Sequence, residues 1–347
     1  MPPRRRKSST AITILDVARH AGVSPMTASR VINGNPRVTP ALRDRVQASV
    51  RELGYRPNLA GRSLRTTGTA RIGVLYSNPS AAYLNELVLG ILEQSSLTGA
   101  QVQIEKCSGI RSQRTATQRL VEAGVDGIIV PPPLCDSAQA IGEIGERRLP
   151  IVAVASGAPH PAVTSIGIDD YQGAVTMTRF LLGLGHRRIG FIAGDPSHTP
   201  AQLRTAAFRD TMAEAGLEVP PEHVAGGLFT YRSGLAAAEK LLRLDPRPTA
   251  IFCSNDDMAA AAMAIAHGMG LHVPTQLTIV GFDDTPMATT LWPELTTIRQ
   301  PVRAMGRDAV TLVLEQVRER RNGRAAAVKH QTMKFTLVKR ESSGPPP

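Results

Sequence analysis

Near the start of the chain the apolar residues fall into short stripes at helical spacing, separated by polar and turn-forming residues. Ile14, Val17, Ala18 and Ala21 share one face of a first helix, with Thr13 as its expected cap and Asp16 as the cap's reciprocal partner. Ala21-Gly22-Val23 turns the chain, Ser24 caps a second helix, Pro25 supplies its first residue, and Val23 is placed to pack on Ala28. Thr39 and Pro40 open a third helix carrying Leu42, Val46, Val50 and Leu53, and Gly54 ends it. Three small helices burying these stripes together make an all-α helix-turn-helix module. The outer face of its second helix is left with Pro25, Met26, Ser29, Arg30 and Asn33, the residue types and spacing suited to a DNA groove.

From Ala70 onward the rhythm changes. Short β-branched runs at 71–76, 127–130, 151–155, 189–193, 250–253 and 277–282 alternate with Ala- and Leu-rich helical stretches such as 83–98 and 137–147. Strands regularly followed by helices predict α/β architecture with doubly wound parallel sheets. About 270 residues is too much for one such layer, so two lobes are expected. A ligand in this architecture sits outside the carboxyl ends of the strands, which singles out Ser77 and Asn78, Asn255 and Asp256, and Asp283 and Asp284, with Arg204 as a further convergent group. An arginine, an amide and a carboxylate can together hold vicinal hydroxyls or a carboxylate; capping at strand ends is the alternative role for Asn255 and Asp283.

Charge sharpens the picture. The chain carries net charge +11, and residues 1–65 hold 13 basic against 3 acidic residues, so nearly all the excess lies in the segment that contains the helix-turn-helix. Such a cluster neutralises phosphates and makes affinity fall steeply with salt. Other chemistry finds no support: Gly190 to Gly194 lacks the GxGxxG spacing, and neither GxxxxGK[ST] nor HExxH occurs. Cys107, Cys135 and Cys253 lack metal-like spacing and read as small core residues or unpaired thiols. No metal, cofactor or enzymatic activity is expected. Without an apolar run of about 18 residues, or an apolar stretch after the basic start, the chain is expected to be cytoplasmic.

The segments Asp16-Val17-Ala18, Ala21-Gly22-Val23-Ser24, Thr27, Ser29-Arg30-Val31, Asn33, Gly54-Tyr55, Pro57-Asn58 and Arg62-Ser63-Leu64, continuing to about Lys339, resemble the lactose/galactose repressor family of bacterial transcription regulators. The resemblance implies a periplasmic-binding-protein-like body of two similar lobes, with the chain crossing between them near Ile168, Ile298 and Arg324. It also implies a hinge that becomes helical when two subunits sit on DNA, with Leu64 wedged into the minor groove. The stretch from Asn58 is too short to be a helix alone. Gly61 stands where the family usually has alanine, which costs the hinge helix about 1 kcal/mol. Positions matching Ser77, Arg204, Asn255 and Asp283 would contact the effector, with Tyr83 and Phe229 as its apolar wall. Ala155 replaces a sugar-binding aspartate of the lactose repressor.

The expected layout is a basic arm (1–11), a helix-turn-helix domain (12–57), a hinge (58–68), an effector-binding and dimerisation domain (69–340) and a tail (341–347). Within the large domain the N-lobe takes about 69–168 and 299–324, and the C-lobe about 169–298 and 325–340. The expected function is that of a homodimeric regulator, a repressor by preference, binding a near-palindromic operator and controlled by a sugar or sugar acid. An activator or a corepressor-dependent regulator with a purine-type ligand is the alternative. Arg30 is the choice for guanine or phosphate and Met26 for a thymine methyl, while Thr13, Ser24, Thr27, Ser29, Asn33 and Arg37 would position the backbone.

Overall fold

A computed structural model describes residues 14–32, 39–53, 69–107 and 110–347. Thr13, Asn33, Arg37, Asn58, Gly61 and Leu64 lie outside the described residues. The chain divides into two units, Met1–Thr69 and Ala70–Pro347.

In the first unit, α1 (Ile14–His20), α2 (Pro25–Ile32) and α3 (Pro40–Glu52) close on a small core of Val17, Ala18, Ala21, Ala28, Val31 and Val46, with Val23, Val50 and Leu53 packed against it. Most of the stripe residues of the sequence are here, Leu42 excepted, joined by Val31, and helices this short owe their stability to that shared burial. Gly22 takes a left-handed φ of +62°, which lets the chain reverse between α1 and α2 without the strain a Cβ would bring. The His20 ring meets the Ser49 hydroxyl at 3.1 Å, tying α1 to α3.

The second unit holds two sheets with matching strand order. The first sheet contains β1 (Arg71–Tyr76), β2 (Gln101–Lys106), β3 (Gly127–Val130), β4 (Ile151–Val154), β5 (Thr164–Gly167) and, from late in the chain, β11 (His330–Thr332). Its order is β11-β5-β4-β3-β1-β2, all parallel. The second sheet contains β6 (Ile189–Ala193), β7 (Val224–Gly226), β8 (Ala250–Cys253), β9 (Thr278–Asp283), β10 (Thr296–Arg299) and β12 (Thr336–Val338), in the order β12-β10-β9-β8-β6-β7 with only β12 antiparallel. Central strands β3, β4, β8 and β9 are buried at every position, as strands covered by helices on both faces must be. The helices are α4 (Ala81–Thr98), α5 (Ile110–Glu122), α6 (Ala138–Glu146), α7 (Asp170–Gly183), α8 (Thr199–Glu214), α9 (Tyr231–Leu242), α10 (Asp256–Gly268), α11 (Met287–Thr290) and α12 (Val302–Arg321). No helix of the described residues is long and apolar enough to cross a membrane.

The chain leaves the first lobe after β5 and returns after β10, when α12 packs along α4 and beneath β3 and β4. Its third passage lies later than the expected Arg324. His330–Thr332 still pairs with Ser165–Gly167 in the first sheet, and the crossing falls between β11 and β12. An edge strand with every residue exposed carries no apolar signature, which hid it in the sequence. Residues 341–347 are likewise no appendage: buried Ser342 donates to the Ile279 carbonyl at 2.6 Å and accepts from the Thr296 N–H at 2.8 Å, and the Gly344 carbonyl meets His186 at 2.9 Å. In the Gly185 to Arg188 connection, Arg187 donates to the Leu182 carbonyl at 3.0 Å, a cation satisfying the end of α7. Burial pushes the thiols of Cys107, Cys135 and Cys253 up, so these free cysteines stay protonated in the core.

Candidate functional site

Two surfaces carry chemistry. On the helical unit, Ser24 caps α2: its hydroxyl oxygen accepts from the Thr27 N–H at 3.1 Å and lies 2.8 Å from the Thr27 hydroxyl. The cap fixes where α2 begins and therefore which way its residues face. Ala28 and Val31 are inward, whereas Pro25 and Arg30 are exposed and Met26 is 65% exposed. An unbranched apolar side chain beside a guanidinium on one exposed helix face can contact a thymine methyl and hydrogen-bond a guanine edge or a phosphate.

The second surface is a cleft between the two lobes of the larger unit. The order β2-β1-β3-β4-β5 in one sheet and β7-β6-β8-β9-β10 in the other puts a topological switch point in each lobe, and the cleft opens at the strand ends that flank both. Asn78, Pro79, Ser80 and Tyr83 follow β1, Pro132 follows β3, and Ala155 follows β4. From the other lobe come His198, Pro200 and Arg204 at the start of α8, Phe229 after β7, Asn255 after β8 and Asp283 at the end of β9, with Gln300 at the second crossing. Tyr83, Arg204, Phe229, Asn255 and Asp283 are thus brought together. Ser77 is half-buried and does not line the cleft, although the next three residues do.

Arg204 is held on three sides. Its Nε and Nη2 donate to Asp170 Oδ1 at 2.9 and 2.6 Å, its Nη1 donates to the Ser254 carbonyl at 2.6 Å, and its guanidinium lies 3.7 Å over the Phe282 ring. One turn further along α8, Phe208 stacks on Phe191, whose edge meets Phe252, so the helix carrying Arg204 is locked to its sheet. Asp283 Oδ1 sits 3.8 Å from Arg204 Nη1 and accepts from Gln300 Nε2 at 2.7 Å. That bond fixes the Gln300 amide with its oxygen turned away. Among the described residues, Gln300 Oε1 and the Tyr83 hydroxyl are buried without a hydrogen-bond partner, and both belong to cleft-lining side chains.

Burial raises the Asp283 carboxyl well above the usual range, against the opposing pull of Arg204. Burial and nearby Asp283 raise Tyr83 well above 10, so it stays a phenol, and burial lowers His198, which stacks on Phe229 at 5.4 Å as a neutral ring. Asn255 serves mainly as a cap: its Oδ1 accepts from the Met258 N–H at 3.0 Å and its Nδ2 donates to the Phe229 carbonyl at 3.1 Å. The backbone is strained where it borders the cleft, with φ of +52° at Ala155, +57° at Phe229 and +116° at Asp283.

Hydrogen bonds also cross between the lobes. The Ser80 hydroxyl, capping α4, donates to Asp257 at the start of α10. On the other flank Asp136 accepts from the hydroxyls of Ser156 and Thr199, and the Gly157 N–H donates to Thr199 Oγ1 at 3.0 Å. Sequence reasoning does not single out His198, Gln300, Ser80 and Pro132, which tertiary packing brings to the cleft, or Asp170, which stands behind Arg204 outside the lining; only their positions just beyond strands or at helix starts could flag them.

Both units have counterparts among known proteins. Residues 13–58 match the bacterial regulatory proteins of the lacI family, and residues 178–343 match the periplasmic binding protein-like domain. Catabolite control protein A of Priestia megaterium is 33% identical over 306 residues, covering 87% of this chain and 91% of that protein. The crystal structure of the lac repressor dimer bound to operator and the anti-inducer ONPF is 30% identical with a TM-score of 0.77, covering 96% of this chain and 100% of that one. The transcriptional regulator CelR in complex with cellobiose is 30% identical with a TM-score of 0.71, covering 95% and 99%. The chain belongs to the lacI family of bacterial regulatory proteins, DNA-binding transcription regulators with a helix-turn-helix head and an effector-binding body.

Proposed function

We propose that the protein is a transcriptional repressor that binds a near-palindromic operator as a homodimer in the cytoplasm and responds to a sugar-like effector held between its lobes. The observation that carries the effector reading is the polar equipment of the cleft. Arg204 and the Tyr83 phenol can donate, Gln300 Oε1 can accept, and the His198–Phe229 stack offers an apolar platform. A molecule rich in hydroxyls both donates and accepts, so it satisfies all of these groups at once. The likeness to a regulator complexed with cellobiose and to a dimeric repressor on its operator supports the same reading.

In this account Ser24 and Thr27 set the angle of α2, Met26 and Arg30 meet base edges, and two-fold symmetry of the dimer imposes two-fold symmetry on the DNA site. The effector binds the closed arrangement of the lobes more tightly than the open one, and this differential affinity is what couples the cleft to the DNA. A thermal-shift screen against neutral sugars, sugar acids and purines, followed by mobility-shift titration of operator with each hit, tests the reading. The expected result is a saccharide that raises the melting temperature and changes operator affinity. A purine hit with no saccharide hit would replace the sugar reading.

A further inference from the structure

The charge that the effector carries follows from the surroundings of Arg204, given the reading of the cleft as a ligand site. Among the described residues that line the cleft, Arg204 alone bears a fixed positive charge, and that charge is already matched. Asp170, the first residue of α7, stands behind it with its side chain 2% exposed and takes two of the five N–H donors, and the Ser254 carbonyl takes a third. Asp283 stands on the ligand side, 3.8 Å from Nη1. The guanidinium therefore reaches the cleft as a hydrogen-bond donor with a carboxyl group on each side of it.

We propose that Asp170 sets the charge specificity of the cleft, neutralising Arg204 from behind so that the effector is an uncharged, hydroxyl-bearing molecule and its carboxylated or phosphorylated counterparts are excluded. A hydroxyl accepts from the remaining guanidinium protons and donates to Gln300 Oε1. A carboxylate in the place of that hydroxyl accepts only, leaves Gln300 Oε1 unpaired, and finds no unmatched cation to hold its charge. Asp170 lies outside the lining, so it acts through Arg204 as a positioning and charge-balancing residue.

The test is calorimetric titration of the full-length protein with D-gluconate and with inorganic phosphate at constant ionic strength, in wild type, Asp170→Asn and Asp170→Asn/Arg204→Met. Wild type is expected to show no saturable, Arg204-dependent binding of either anion. Asp170→Asn keeps an acceptor for Arg204 but frees its charge, and gains affinity for both anions of the order of tenfold or more. The double variant loses that gain. Arg204-dependent anion binding by wild type, or a folded Asp170→Asn variant without the gain, overturns the proposal. Should Asp170→Asn fail to fold, the wild-type titration against Arg204→Met decides alone. Operator affinity and saccharide response in the same samples report on the regulator reading separately. A protein that binds operator but answers to no neutral saccharide refutes the sugar assignment and leaves the anion result standing.

Discussion

Arg204→Met is the perturbation whose consequences the structure defines most fully. Methionine retains the apolar stem of the arginine, but the variant leaves Asp170 buried with no cation and the Ser254 carbonyl without its donor. Both members of the pair are at most 5% exposed, so solvent screening does not soften the loss. Removing one partner of such a pair costs about 3–5 kcal/mol, and losing the cation over the Phe282 ring adds about 1. Burial already raises the Asp170 carboxyl, and without Arg204, the main group opposing that rise, it goes higher still. The native state then takes up a proton before the unfolded chain does, so the stability lost at pH 7 returns as the pH falls towards 5. Urea unfolding followed by circular dichroism at pH 5, 6, 7 and 8 measures this directly. Asp170→Asn/Arg204→Met, which removes the stranded charge, should recover most of the loss at pH 7. A single variant within about 1 kcal/mol of wild type at pH 7, or a deficit that does not shrink on acidification, would refute the claim that this pair is buried and matched.

Further outcomes follow from other contacts. A Cβ on Gly157 would lie 2.6 Å from Thr199 Oγ1 and 2.9 Å from the Thr199 carbonyl carbon, so Gly157→Ala should prise the lobes apart, disfavour the closed cleft by about 1–3 kcal/mol and weaken effector binding about 5- to 150-fold by calorimetry. Unchanged affinity would show that closure does not depend on this contact. Ser24→Ala removes the cap of α2 and should destabilise the helical head by about 1 kcal/mol, read as earlier melting of that unit by circular dichroism; no change would mean the cap contributes nothing. Burial raises the Asp256 carboxyl to about 7 despite hydrogen bonds from Thr285 and Thr297. Because its native pKa lies above that of the unfolded chain, its contribution to stability declines as the pH rises from about 4 to 7. Asp256→Asn should flatten that part of the melting temperature–pH profile, and an unaltered slope would assign the effect elsewhere.

The helical head is legible in the sequence where its determinants are local: the Ser24 cap, the turn glycine Gly22 and apolar positions such as Val46, Val50 and Leu53 specify where α2 starts and which way the helices face. The central strands were legible for a related reason, since runs such as GIIV and AIFC have to be buried on both faces. Edge strands were not. Gln101–Lys106 alternates with polar residues, and His330–Thr332 is polar throughout, so only pairing in three dimensions identifies it, and the last lobe crossing was therefore set too early. The cleft was read in part, through residues that follow strands. Asp170 reads as an ordinary helix start until Arg204, 34 residues later, is seen against it. Asn255 shows the converse: a residue singled out for ligand contact has most of its hydrogen-bonding capacity taken by capping α10 and holding the Phe229 loop.

The proposed function makes the outer face of α2 a reader of DNA sequence under the control of a ligand between the lobes. Fluorescence anisotropy of the purified protein on its best genomic fragment and on a scrambled duplex, with and without the saccharide found by screening, tests it in one experiment. A preference of roughly three orders of magnitude for the genomic site is expected, reduced by Arg30→Ala and shifted by the saccharide. Equal affinity for both duplexes, unmoved by any ligand that stabilises the protein, would contradict it.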